Sequence, residues 1–166
     1  MNIVLIGMRG SGKTVVGKLL ATTLKKDFAE TDVVIAEKEG KIISQIVREN
    51  GWDYFRDLET EVVKEAAKKN NCVVSCGGGI VLKKENISSL KKNGKFFWLQ
   101  VSIDTLLKRI GEDSNRPFLT NAKSRREDME MVLQQRYSLY ENAADVTIDT
   151  ENKTPTDVAE KIIQNL

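Results

Sequence analysis

The chain opens on a continuous apolar run, Ile3 to Ile6, stopped by Gly7. An uninterrupted run of this length bounded by glycine predicts a strand buried on both faces, as in a parallel sheet. From Lys13 to Leu24 the apolar residues Val15, Val16, Leu19, Leu20 and Leu24 recur at helical spacing. Residues 28–32 predict a short extended piece, and helical patterns follow over 33–38 and 42–49. Asn50-Gly51 interrupts them, and a further helix fits 55–69. Val73-Val74-Ser75 reads as a second buried strand, ended by Gly77-Gly78-Gly79. Phe96 to Leu99 predicts a third strand, 103–110 a helix, 127–140 a helix and 145–148 a last strand. A closing helix over 155–163 has Pro155 at its start, where the missing N–H costs nothing. Residues 111–123 are polar and hold one of the two prolines, as expected of a mobile loop. Strands alternating with helices predict an α/β fold around a parallel sheet, with no internal repeat, low-complexity tract or linker.

The first turn of this pattern carries chemistry. Gly7-Met8-Arg9-Gly10-Ser11-Gly12-Lys13-Thr14 fits G-x-x-x-x-G-K-[ST] in full, with a predicted strand before it and a predicted helix after it. Glycines there let backbone N–H groups converge on phosphate oxygens, and the helix N-terminus adds a favourable field. Lys13 would reach the β- and γ-phosphates, and the Thr14 hydroxyl would ligate magnesium. The candidate nucleotide contacts are Gly10, Ser11, Gly12, Lys13, Thr14 and Val15.

Composition narrows the rest. A length of 166 residues suits one domain, 1–166, that buries its own core. With 26 Lys+Arg against 24 Asp+Glu, the net charge of +2 is too balanced to argue for nucleic acid or an anionic membrane. Histidine is absent, which excludes His-based catalytic triads and His-containing zinc sites. Two cysteines, Cys72 and Cys76, are too few for a thiolate zinc site or an iron–sulfur cluster, so oxygen ligands and magnesium are favoured. No apolar run approaches the ~20 residues of a membrane span, and the N-terminus lacks a basic leader. A cytoplasmic location is therefore expected. A monomer is the prior expectation.

Among phosphate-loop proteins, small GTPases would require D-x-x-G and N-K-x-D. No aspartate here has glycine three residues later, and Asn152-Lys153-Thr154 runs into Pro155. A mechanical ATPase would end a long apolar strand on a carboxylate, where this chain has Cys76 and three glycines. Instead the phosphate loop, Glu30-Thr31-Asp32, Phe55-Arg56-Asp57-Leu58-Glu59, Gly77-Gly78-Gly79, Arg116-Pro117-Phe118-Leu119 and Arg136 with Tyr140 occur in one order across nearly the whole chain. In that order they resemble the shikimate kinase family.

The resemblance implies a three-layer P-loop kinase fold, with a parallel sheet of about five strands and a mobile lid near 111–124. It also implies an acceptor-binding helical segment near 32–60. The implied activity is ATP- and Mg²⁺-dependent phosphorylation of the 3-hydroxyl of shikimate, giving shikimate 3-phosphate and ADP on the route to chorismate and the aromatic amino acids. Asp32 would bind the acceptor hydroxyls and serve as base. Arg56 and Arg136 would bind the acceptor carboxylate, and the main chain of Gly78 and Gly79 would meet the acceptor. Glu30 stands where the family usually has aspartate and would hold magnesium through water, with Thr14 a direct ligand. Arg116 would stabilise the transferring group, and Arg109 would lie near adenine.

Bottom-up readings stand beside these. Asp32 could instead cap the helix over 33–38. Arg56 and Arg136 offer planar forks matched to a carboxylate, but either could form an ordinary ion pair, Arg56 with Glu59 for instance. Glu59 could also orient Arg56 for binding. The three glycines could form a plain turn. Cys76, Trp52, Trp98 and Phe96-Phe97 read as core, and Lys123-Ser124-Arg125-Arg126 as a solvated helix start. A gluconate-type kinase of the same fold and a nucleotide-binding module without catalysis are the rival functions.

Overall fold

The computed structural model describes residues 1–111 and 117–166. Its strands are β1 (Asn2–Ile6), β2 (Asp27–Glu30), β3 (Cys72–Ser75), β4 (Gly94–Gln100) and β5 (Val146–Asp149). The helices are α1 (Lys13–Leu24), α2 (Thr31–Glu39), α3 (Ile43–Asn50), α4 (Trp52–Ala67), α5 (Lys84–Lys91), α6 (Ile103–Ile110), α7 (Arg125–Ala143) and α8 (Pro155–Gln164). A 3₁₀ turn, Ile80–Leu82, follows the glycine triplet. The five strands form one parallel sheet in the order β2-β3-β1-β4-β5. This is the α/β architecture expected from the pattern.

β1 lies at the centre, with Val4 opposite Val74 on one side and Phe96 on the other. Alternate side chains of a strand point to opposite faces, so both faces of β1 must be covered. Val4 and Ile6 share a core with Val74, Phe96 and Trp98 and with Met129, Val132 and Tyr140 of α7. Ile3 and Leu5 pack with Val73, Phe97 and Leu99 against Val16 and Leu20 of α1 and Val158 and Ile162 of α8. Three layers follow. A third apolar cluster, Ile35, Ile46, Phe55 and Val62, joins α2, α3 and α4 into a separate helical layer beside the sheet.

Several boundaries move. α4 begins at Trp52 rather than Phe55, directly after Gly51, so the whole Phe55–Glu59 motif is helical. β2 ends at Glu30, which is the N-cap residue of α2, so Asp32 lies in the first helical turn. Neither an extended Asp32 nor an Asp32 cap survives. α5 is not evident in the sequence because Lys84–Lys91 presents only Ile87 and Leu90 as apolar residues. Its buried Asn86 is held instead by donating to the Ile80 carbonyl, 3.2 Å. Of the expected lid, Arg116 lies outside the described residues. Among the described residues no helix is long and apolar enough to cross a membrane.

Candidate active site

At the C-terminal edge of a parallel sheet, loops diverge and leave a crevice for ligands. The phosphate loop leaves β1 there and enters α1 through Gly12, whose φ of 97° is readily adopted only by a residue without Cβ. Lys13 Nζ donates to the Gly7 and Met8 carbonyls, both at 2.8 Å, and is almost fully buried. The lysine thus folds over the loop that would hold phosphate. One residue on, Thr14 Oγ1 donates to Glu30 Oε1 at 2.8 Å. The two expected magnesium residues therefore face each other across α1 and the end of β2. Arg109 Nη1 donates to the Gly10 carbonyl at 3.3 Å, which places α6 against the outer side of the phosphate loop. Val15 is exposed in the first turn of α1.

Next to the loop lies a cleft with about 110 Å³ of open volume. Asp32, Arg56, Gly78, Gly79 and Arg136, all expected from the sequence, line it together. Gly77 is squeezed between carboxylates: a Cβ there would stand 2.5 Å from Asp32 Oδ1 and 3.0 Å from Glu59 Oε2. A Cβ on Gly79 would collide with the Arg56 guanidinium. Gly78 has ordinary room, its nearest neighbour being Arg136 Nη1 at 3.5 Å from a notional Cβ. The triplet is therefore no plain turn, since its outer two members let charged side chains approach the main chain. Two further bonds hold it in place. The Gly77 N–H donates to Thr31 Oγ1 at 2.9 Å, and Tyr140 Oη donates to the Gly78 carbonyl at 2.6 Å. Burial pushes the Tyr140 phenol up, although Arg136 pulls the other way, so it remains a donor across the neutral range.

The two acceptor arginines are held differently. Arg56 pairs with Glu59, Nη1 to Oε1 3.0 Å, and its guanidinium stacks 5.2 Å from the Trp52 ring centroid and 5.3 Å from that of Phe55. Glu59 is fully buried. Its Oε2 accepts no hydrogen bond among the described residues. Burial pushes the Glu59 carboxyl up, against the opposing pull of Arg56. Arg136 is buried too, and among the described residues no carboxylate pairs with it. A buried guanidinium of this kind has the geometry to take an anion.

The structure adds to two expectations. Trp52, expected in the core, packs half-buried against the third apolar cluster and also lines the cleft wall. Lys123-Ser124-Arg125-Arg126 does begin a helix, with the Ser124 hydroxyl capping the Glu127 N–H at 3.1 Å, yet Arg125 also faces the cleft. Arg9 and Asp128 line it as well, and neither stands out in the sequence. Arg9 sits at a variable position of the phosphate motif, and Asp128 is one polar residue among many on an outer helix. Cys76 is a buried thiol whose pKa burial drives far above the physiological range, as a small core residue should be.

A phosphate loop that opens onto an arginine-rich cleft bearing an uncovered glycine main chain, on a five-stranded parallel sheet, defines a small-metabolite P-loop kinase. Residues 9–166 match the family model of shikimate kinase. The shikimate kinase of Thermodesulfovibrio yellowstonii is 45% identical over 163 residues, covering 98% of this chain and 93% of the relative. That of Dehalococcoides mccartyi is 40% identical over 165 residues, covering 99% and 93%. The chain belongs to the shikimate kinase family. Shikimate kinase from Acinetobacter baumannii, solved in complex with shikimate, superposes with a TM-score of 0.94 at 34% identity, over 99% of this chain and 91% of that one. A gluconokinase from Sinorhizobium meliloti, at 16% identity and a TM-score of 0.62 over 98% of this chain and 89% of that one, shares the fold alone.

Proposed function

We propose that this protein transfers the γ-phosphoryl group of ATP to the 3-hydroxyl of shikimate, releasing ADP and shikimate 3-phosphate, as a cytoplasmic monomer with no nucleic-acid or membrane partner. The observation that carries the reading is the cleft itself. Buried Arg136 and half-buried Arg56 flank the glycine triplet, Asp32 stands beside them, and the phosphate loop forms the adjoining wall. Two guanidinium forks suit the carboxylate of shikimate, and Gly78 and Gly79 leave the acceptor ring free to approach the main chain. Segment 32–60 supplies the acceptor-side helices.

Phosphoryl transfer needs alignment and charge stabilisation more than covalent chemistry. Asp32 accepts a hydrogen bond from the attacking hydroxyl and takes its proton as the bond to phosphorus forms. Lys13 exchanges its loop carbonyls for phosphate oxygens and balances the charge that develops there. Arg109 lies on the nucleotide side of the loop, and Arg116 is assigned to the transferring group by its motif. The residues present fit magnesium: Thr14 offers a hydroxyl ligand, and the Glu30 carboxylate, 2.8 Å from that hydroxyl, would hold the ion through water. Among the described residues no cluster of three or more acidic or thiolate groups forms a cage, as suits an ion that keeps several waters and phosphate oxygens. When bound, the ion supplies positive charge at the β- and γ-phosphates.

One coupled assay tests the reading. ADP release from ATP and magnesium should require shikimate and should stay at background with gluconate. Equal release with both acceptors, or release that ignores shikimate, would reject it.

A further inference from the structure

The chain after Pro117 is fastened to α7 by one carboxylate. Asp128 is 4% exposed, and its Oδ1 accepts three hydrogen bonds: from the Leu119 N–H at 3.0 Å, the Thr120 N–H at 2.8 Å and the Thr120 hydroxyl at 2.7 Å. That hydroxyl in turn accepts from the Ala122 N–H at 3.1 Å, so residues 119–122 fold around a single hub. At this end of α7 Arg126 pairs with Asp104 and Glu130, while Asp128 accepts from N–H and O–H donors.

Apolar burial does not place this stretch. Phe118 and Leu119 are 38% and 39% exposed, and the Arg125 guanidinium lies 4.7 Å from the Phe118 ring centroid. Yet Pro117 and Leu119 form one wall of the acceptor cleft, with Arg125, Asp128, Met129 and Arg136 beside them. The position of a half-exposed wall is then set by its hydrogen bonds, and charge-assisted bonds are the strong ones. We propose that Asp128 is a positioning residue for acceptor binding. By gathering Leu119 and Thr120 onto α7, it fixes the Leu119 wall and hence the width of the cleft beside Arg136. The inference rests on the shikimate kinase reading above and assigns a role to a residue outside every motif that led to that reading.

The test compares four variants by shikimate KM, ATP KM, kcat, Tm and shikimate affinity from calorimetry. Asp128→Ala removes all three bonds to Asp128, and Thr120→Val removes one of them together with the Ala122 N–H bond to the same hydroxyl. Asp128→Asn keeps a carbonyl acceptor, and Ser124→Ala removes the α7 cap without touching the hub. Asp128→Ala should raise shikimate KM and Kd about tenfold or more, and Thr120→Val roughly threefold. Asp128→Asn should recover much of the loss, and ATP KM should stay within about twofold throughout. Ser124→Ala should lower Tm and leave shikimate KM alone. A shikimate KM within twofold of wild type in both Asp128→Ala and Thr120→Val would overturn the proposal whatever happens to Tm, as would equal rises for ATP and shikimate. If Asp128→Ala does not fold, Thr120→Val and Asp128→Asn decide the matter by the same criteria. A wild-type protein inactive on shikimate would instead overturn the functional reading, and this inference with it.

Discussion

Single side chains at this site differ in what else they are bound to, and that difference sets their expected sensitivities. Arg136 has no carboxylate partner among the described residues, whereas Arg56 shares its guanidinium with Glu59 and two aromatic rings. Lysine keeps the charge of either but loses the fork. Arg136→Lys should raise shikimate KM about 10–150-fold, as expected for a lost charged hydrogen bond, with ATP KM within about twofold. Steady-state kinetics with each substrate varied would show it. Asp32→Asn keeps the shape of the side chain and removes the base, so kcat should fall by about 10²–10⁴ and by more than shikimate KM rises. Normal kcat at saturating shikimate would strip Asp32 of the base role. Glu59 makes a prediction in pH. Its folded pKa lies above the ordinary 4.5, first because burial penalises the carboxylate. The stability linked to its protonated form is fully present below about pH 4.5 and is lost as pH rises through the folded value. Glu59→Gln cannot ionise, so the Tm of the variant should gain on that of wild type as pH rises from 4.5 toward neutrality. A difference that stays flat across that range would refute the buried-carboxylate account.

At the scale of elements, two glycines at strand ends separate stability from function. Gly94 starts β4, and a Cβ there would stand 2.7 Å from the Leu90 carbonyl and 2.8 Å from Val4 Cγ2. Neither the end of α5 nor the centre of β1 can yield, so Gly94→Ala should cost about 1–3 kcal/mol by overpacking. That corresponds to a Tm lower by roughly 2–12 °C with shikimate KM unchanged. Gly79 follows β3, and what its Cβ would strike is the far end of a flexible arginine. Gly79→Ala should leave Tm nearly intact and raise shikimate KM by displacing Arg56. Melting curves and kinetics on the two proteins give opposite signatures if the glycines act as described. Elements also mark where sequence reading falters. α1 and α8 are legible because each lays apolar residues at helical spacing on the sheet, and α6 because Ile103, Leu106, Leu107 and Ile110 keep that spacing. α5 is not, because a short helix anchored by a buried asparagine has no periodic signal to read.

For the whole molecule, ligand binding and folding are linked, since whatever binds only the folded state raises its stability. Shikimate at 100 times its Kd should add about 2.7 kcal/mol, which raises Tm by roughly 5–11 °C without any nucleotide. Gluconate at equal concentration should leave Tm unmoved, and a matching rise with gluconate would show that the cleft does not choose between acceptors. This selectivity comes from residues far apart in the chain, which the end of β3, beside the central strand, α4 and α7 bring within one cleft. The phosphate loop was legible from sequence because its chemistry is local: glycines, lysine and threonine act on one turn between two neighbouring elements. The motif residues Asp32, Arg56 and Arg136 were legible only as members of an ordered set, since a lone arginine or aspartate carries no address. What the tertiary structure decided is who pairs with whom. It tied Arg56 to Glu59 and left Arg136 without an ion pair among the described residues, gave Trp52 a place on the cleft wall as well as against the core, and made Asp128 the hub of residues 119–122. Those outcomes depend on burial and on separations of a few ångströms between distant segments, which no local pattern of apolar and polar residues encodes.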